Sequence, residues 1–329
     1  QYLEVDFFLR VMFLLQRIEN LIMIKRFVPF FSNLALFVFV LLSAFWAAIL
    51  KVPAKTVAVE QSTKNCLWSI QTQSNKIYLL GSIHVLKQET YPLDPAIERA
   101  YAASERIIFE TDIAAMQDAA MQTKMLELGM YAAEQNLFEN IARDTRQQLE
   151  KKMSALGLPL EAFSRFKPWF VALTLTTLEL QRLGYNLQYG IDVYFFGKAR
   201  SGGKEIGFLE PPEYQIDLLG NMANKDQNDF LKQTLKDLEL ISELAGDLVN
   251  SWKSGDADKL HELLHKSFKD YPNLNDRLLI QRNRKWVKEV EAAMRQNKNV
   301  LFVVGAGHLV GPESVVDLLR KNGHAVKQQ

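Results

Sequence analysis

The sequence predicts an α/β fold: a central mixed β-sheet built from strands at both ends of one domain, a large helical insert in the middle, and an N-terminal hydrophobic signal or anchor helix. Three observations predict it. Residues 77–80 and 300–304 are short apolar runs rich in β-branched and aromatic residues, closed by Gly81 and Gly305, and such runs read as buried strands. Residues 114–183 and 212–296, between them, carry helical patterning. Residues 34–50 are apolar or small except Ser43, and nothing amphipathic surrounds them.

That leading run is short for a membrane span and long for a signal core. Lys25 and Arg26 precede it, and Val52-Pro53-Ala54 offers a small-residue cleavage site. Residues 23–54 are therefore expected to be a signal peptide or signal anchor opening at Met23. Residues 1–22 are then an upstream extension, 55–64 a polar linker, and 65–329 the folded domain. The domain is expected outside the cytoplasm, periplasmic or anchored in the inner membrane, with membrane contact only through the leading segment. The single cysteine, Cys66, forbids an intrachain disulfide and suits an oxidising compartment; it reads as a small buried hydrophobe beside Trp68.

Within the domain, residues 66–70 alternate apolar with polar, residues 71–76 supply turn chemistry, and the first motif strand follows. That is a hairpin signature. Asp94 is a good N-cap and Pro95 suits the first helical position, so a helix should run to about Ser104. Residues 106–109 form a strand that delivers Glu110-Thr111-Asp112 at its end. The helical middle is punctuated by Gly129, Gly157 and Pro159; Pro168-Trp169 starts a strongly apolar helix, and Gly190-Ile191-Asp192 another. Residues 205–209 are a strand, and Glu210 leaves it. The helices from Pro212 to Gln296 should break near Gly246, Gly255 and Pro272. A helix after Pro312 and a strand around Ala325-Val326 close the domain.

The composition is that of a globular protein, 48% hydrophobic and 23% charged. Lysine plus arginine number 39 against 38 acidic residues, and no basic run interleaves with aromatics, so a nucleic-acid partner is not expected.

Two stretches carry the chemistry, Gly81-Ser82-Ile83-His84 and Gly305-Ala306-Gly307-His308. In each, the glycine is expected to let the chain turn sharply at the strand's end. The histidine is then held above the carboxyl edge of the sheet, where open α/β folds bind ligands. Glu110, at the end of a third strand, completes a set of two histidines and one carboxylate. Nitrogen and oxygen ligands of this kind suit a divalent metal such as manganese, cobalt or zinc. A metal of this type lowers the pKa of bound water to about 7 and supplies hydroxide for attack on a carbonyl. Alternatively Glu110 is not a ligand and acts as the base that activates the water.

A competing motif, His261-Glu262-Leu263-Leu264-His265, matches the zincin pattern, in which the histidines share a helix face and the glutamate activates water. No Gly-x-x-His follows it, Glu289 lies further downstream than the pattern asks, and Lys259, Lys266 and Lys269 mark a surface helix.

From about Cys66 to the carboxyl terminus the chain resembles the TraB/GumN family, which includes the Tiki metalloproteases. The matching pieces begin with Leu79-Leu80-Gly81-Ser82-Ile83-His84-Val85, Phe109-Glu110-Thr111-Asp112 and Tyr189-Gly190-Ile191-Asp192. Leu209-Glu210 with Gln215, Gln281-Arg282-Asn283 and Gly305-Ala306-Gly307-His308-Leu309-Val310-Gly311 follow in that order. The family more often has threonine where Ser82 stands, and the zincin motif is not part of its pattern. The resemblance implies a metal-dependent, peptidase-like hydrolase with His84, Glu110 and His308 as the metal centre and a peptide or small molecule as substrate. Arg282 and Asn283 would face that centre. The fork of Arg282 would hold a substrate carboxylate or an oxyanion, although beside Arg284 and Lys285 it also reads as a helix-surface charge. Asp192 and Glu210 would orient the histidines, or else serve as a helix-start carboxylate and a strand-end cap, and Ser82 would keep its hydroxyl beside them. A different class of reading is a protein that binds a peptide or small ligand in the same cleft without turnover.

Overall fold

The structure, a computed structural model, describes residues 64–265 and 271–329. The expected signal or anchor helix therefore lies outside the described residues. Among the described residues, no helix is long and apolar enough to cross a membrane.

The strands are β1 (Leu67–Gln71), β2 (Lys76–Ser82), β3 (Arg106–Phe109), β4 (Glu205–Phe208), β5 (Val300–Gly305) and β6 (Lys327–Gln328). They form one mixed sheet in the order β4-β3-β5-β2-β1-β6. Strands β4, β3, β5 and β2 are parallel, with β4 at one edge, and β1 and β6 add antiparallel strands at the other. Parallel strands covered on both faces read as unbroken apolar runs, and every residue of β5 is buried. The register aligns Val303 with both Leu80 and Phe109, and Phe109 with Phe208. All four parallel strands therefore end at one level. His84, Glu110, Glu210 and His308 leave the sheet along that carboxyl edge.

Helix α1 (Pro95–Ala103) joins β2 to β3, and Asp94 caps it as expected by accepting the Ala96 N–H at 2.7 Å. Between β3 and β4 run α2 (Ala119–Gly129), α3 (Arg143–Ala155), α4 (Pro168–Arg182) and α5 (Ile191–Ser201). Between β4 and β5 run α6 (Pro212–Gly220), α7 (Asn224–Asp237), α8 (Ile241–Lys253), α9 (Ala257–His265) and α10 (Gln281–Met294). Helix α11 (Val315–Lys321) precedes β6. Strand β4 thus divides the helical middle in two. The apolar α4 is buried over most of its length and packs along α7 as the centre of the helical layer.

Two boundaries differ from the expectation. Helix α8 runs straight through Gly246, where an added Cβ would meet nothing, so the glycine faces open space and costs only its share of helix propensity, about 1 kcal/mol. The break falls instead at residues 238–240, which hold neither glycine nor proline. The closing strand lies at Lys327–Gln328 rather than around Ala325-Val326, fixed there by pairing of Trp68 with Gln328.

Candidate active site at the carboxyl edge of the sheet

The two motif glycines do not turn the chain. Gly81 and Gly305 lie within β2 and β5, and neither has a positive φ. Close packing explains the first: a Cβ on Gly81 would fall 2.5 Å from the Sγ of Cys66. Cys66 is buried beneath the strand, as expected, and burial pushes its thiol up. The Gly81 carbonyl accepts the indole N–H of Trp252 at 2.6 Å, which pins the end of α8 to the strand.

His84 follows β2 by two residues and is 1% exposed. Its Nδ1 lies 2.6 Å from Asp192 Oδ1 in the first turn of α5. That helix is docked by the Ile191 N–H, which donates to the Ile83 carbonyl at 3.0 Å. Burial alone would hold the imidazole in its neutral form; the Asp192 carboxylate outweighs it, and the net shift is upward.

Glu110 leaves β3 and is 1% exposed. Its Oε1 accepts the Gly305 N–H at 2.7 Å, which ties β3's end to β5's. Its Oε2 accepts from Arg282 Nη2 at 2.7 Å and from Gln215 Nε2 at 3.4 Å.

Arg282 is fully buried, so the alternative of a helix-surface charge does not hold. It sits in the first turn of α10, directly after a π-helical turn over Asp276–Ile280. Every nitrogen of the guanidinium has a hydrogen-bond partner. Nε donates to both carboxylate oxygens of Glu210 at 3.0 Å, Nη2 donates to Glu110 at 2.7 Å, and Nη2 also forms an ion pair with Glu210 at 2.9 Å. Nη1 donates to the Leu278 carbonyl at 2.9 Å and lies 3.0 Å from His308 Nε2. Burial would pull this pKa down, but Glu210 and Glu110 push it further up, and the group stays charged. The guanidinium is engaged mainly by the protein's own carboxylates, Glu110 and Glu210.

The state of His308 follows from its neighbours. Asn283 Nδ2 donates to the Glu313 carbonyl at 2.8 Å, which fixes the amide's orientation. Its Oδ1 therefore faces His308 Nδ1 at 2.6 Å and accepts that nitrogen's proton. The ring is neutral, and Nε2 carries its single lone pair toward Arg282. Trp286 packs at a tilt against the same imidazole, ring centres 4.2 Å apart, and donates its N–H to Glu210 Oε1 at 3.0 Å. Glu210, expected to orient a histidine, accepts hydrogen bonds from Arg282 and Trp286.

Trp286 was not among the residues singled out from sequence. Its signal was helical spacing: it stands four residues after Arg282, on the same face of α10. The zincin motif occupies α9. His261 lies against the loop after His308, where a Cβ on Gly311 would fall 2.0 Å from its Nδ1. Glu262 points outward and pairs with Lys259 at 3.0 Å, and Glu289 is exposed on α10. The His265 side chain lies outside the described ones.

The donor chemistry suits a divalent ion. Two imidazoles have their outer nitrogens held by Asp192 and Asn283, the usual support for metal-binding histidines. Two buried carboxylates, Glu110 and Glu210, face one guanidinium, and a third, Asp192, pairs with His84. Asp192 Oδ2 and Ser82 Oγ, both buried, have no hydrogen-bond partner among the described residues. In the arrangement seen, His308 Nε2 and Glu110 Oε1 are 4.0 Å apart with Arg282 against both residues. Among the described residues, no three histidine, cysteine, aspartate or glutamate side chains are grouped to hold a metal ion.

Comparison with known proteins gives a match to the TraB/PrgY/gumN family over residues 66–328. The uncharacterized protein YbaP of Escherichia coli is 27% identical over 74% of this chain and 87% of its own length. An uncharacterized protein of Treponema pallidum is 26% identical over 77% of the chain and 80% of its length. The metalloprotease TIKI2 of Danio rerio is 24% identical over 76% of the chain, which spans 58% of that protein. No solved structure matches significantly.

Proposed function

Because the chain belongs to the TraB/PrgY/gumN family, we propose that it is a metal-dependent, peptidase-like hydrolase working outside the cytoplasm. The observation that carries this reading is the pair of imidazoles at one sheet edge, each with its outer nitrogen fixed, beside a buried carboxylate. The metalloprotease TIKI2 among the relatives points the same way, and the apolar run at residues 34–50 supports export.

His84, His308 and Glu110 are the residues that would hold the metal, with manganese, cobalt and zinc suiting such donors. The ion, when bound, supplies a water of lowered pKa and polarises a substrate carbonyl. The chain's own part is orientation and proton handling. Asp192 and Asn283 each engage the Nδ1 of one imidazole and so fix the ring's orientation, and Nε2 would be the nitrogen offered to an ion. Glu110, oriented by its ion pair with Arg282, would either hold the ion or, where it is not a ligand, take the proton of the attacking water. Arg282 is thus a positioning residue, held in turn by Glu210 and Trp286. A recess of about 370 Å³, lined by Glu89, Tyr91, Trp252 and Lys253, lies beside the loop that follows His84.

Metal analysis of the purified protein beside His84→Ala and His308→Ala tests the proposal. Bound metal in the parent and its loss in both variants is expected; equal content in all three would sink it. A second reading, ligand binding without turnover, is favoured by the engagement of His308 Nε2 with Arg282. Peptide binding that ignores a chelator, with no cleavage, would select it.

A further inference from the structure

We propose that Arg282 is a built-in cation that competes with the divalent metal, so that loading the centre requires the guanidinium to withdraw toward Glu210. This rests on the metal-dependent reading above and adds how the site is regulated.

The lone pair of His308 decides the matter. Neutral imidazole offers one acceptor nitrogen, and here that is Nε2, because Asn283 takes the proton on Nδ1. Arg282 Nη1 lies 3.0 Å from Nε2. A metal held by His308 would need the same lone pair that faces the guanidinium. Glu110 repeats the conflict: Oε2 receives Arg282 Nη2 at 2.7 Å while Oε1 is taken by the Gly305 N–H. One guanidinium thus bridges two of the three side chains that would coordinate the ion. It also contributes positive charge to an anionic, buried pocket, which is the metal's own electrostatic role.

A partner for the withdrawn guanidinium is already in place. Glu210 accepts from Arg282 Nε and forms an ion pair with Nη2, and the Trp286 N–H donates to Glu210 and holds it. The Trp286 ring lies 4.6 Å from the guanidinium carbon and offers its face as a rail. Arg282 can therefore release His308 and Glu110 while keeping its pairing to Glu210. A metal that binds only the withdrawn form shows an affinity reduced by the fraction of molecules in that form.

The test titrates the purified full chain with Mn²⁺, Co²⁺ and Zn²⁺ by calorimetry, comparing it with Arg282→Gln and Arg282→Lys. Lysine keeps the charge and loses the fork, which separates occupation of the lone pair from simple repulsion, and it is the gentler change should the glutamine variant not fold. At least tenfold tighter binding is expected in Arg282→Gln, with Arg282→Lys between it and the parent. Equal or weaker binding in Arg282→Lys would overturn the competition while leaving a metal enzyme in place. Folded parent and variants that all fail to bind any of the three metals would overturn the metal-dependent reading, and the inference with it.

Discussion

Gly190 lies against the backbone of His84, so closely that a Cβ there would fall 2.3 Å from the His84 carbonyl oxygen. Glycine at this point is what lets the start of α5 reach the histidine, and Asp192 follows two residues later. Gly190→Ala must push α5 away and part the 2.6 Å contact of His84 with Asp192. Because both sides of the clash are backbone, a loss of about 2 kcal/mol or more is expected. Urea unfolding would measure it; an alanine variant with unchanged midpoint would show that the loop gives way freely.

Asp192→Asn keeps an acceptor for the His84 Nδ1 proton but removes the charge that outweighs burial. Loss of such a supporting carboxylate typically costs 10–100-fold in metal affinity. The expected drop is of that order for Mn²⁺ or Zn²⁺ by calorimetry, with near-unchanged folding. No change in affinity would mean His84 lies outside the coordinating set.

Glu262 and Glu110 are the two glutamates that sequence offers as water-activating groups, and their surroundings differ sharply. Glu262 is half exposed and paired with Lys259; Glu110 is buried against Arg282 and the Gly305 N–H. Glu262→Gln should leave cleavage of a mixed fluorogenic peptide set within twofold of the parent and change stability by less than about 0.5 kcal/mol. Glu110→Gln should abolish cleavage. The reverse result would move the chemistry to α9.

Much of this arrangement was legible because it is local. Strands β2, β3 and β5 show as apolar runs, and Asp94-Pro95 announces α1 through capping chemistry. The histidines and Glu110 follow from what ends each strand. The failures are tertiary. Arg282 sits among Arg284 and Lys285 and reads as surface until a fold brings Glu110 and Glu210, from distant strands, to its fork. Glu210 was expected at a histidine, and only the packing of α10 hands it Arg282 and Trp286. Gly246 misled for the opposite reason: a helix tolerates glycine when the position faces open space.

Asp237, at the end of α7, makes stability depend on pH away from the site. It is 3% exposed, receives only Gln233 Nε2 on Oδ1 at 2.9 Å, and its Oδ2 has no hydrogen-bond partner among the described residues. Burial raises its pKa from 3.8 to about 7, against smaller opposing effects of Gln233 and Lys236. As pH rises from about 4 to 7, the unfolded chain sheds this proton while the native protein keeps it. The unfolded state then binds fewer protons, so stability falls with pH across that window. The contribution is whole below the unfolded pKa and gone above about 7. At roughly 1.4 kcal/mol per pKa unit, the upper limit is on the order of 4 kcal/mol. Asn keeps the acceptor for Gln233 and never ionises, so Asp237→Asn should match the parent at pH 4 and exceed it by a few kcal/mol at pH 8. Urea midpoints of the two proteins across that range supply the check. A difference that stays flat with pH would mean the carboxylate is charged in the folded protein at no cost.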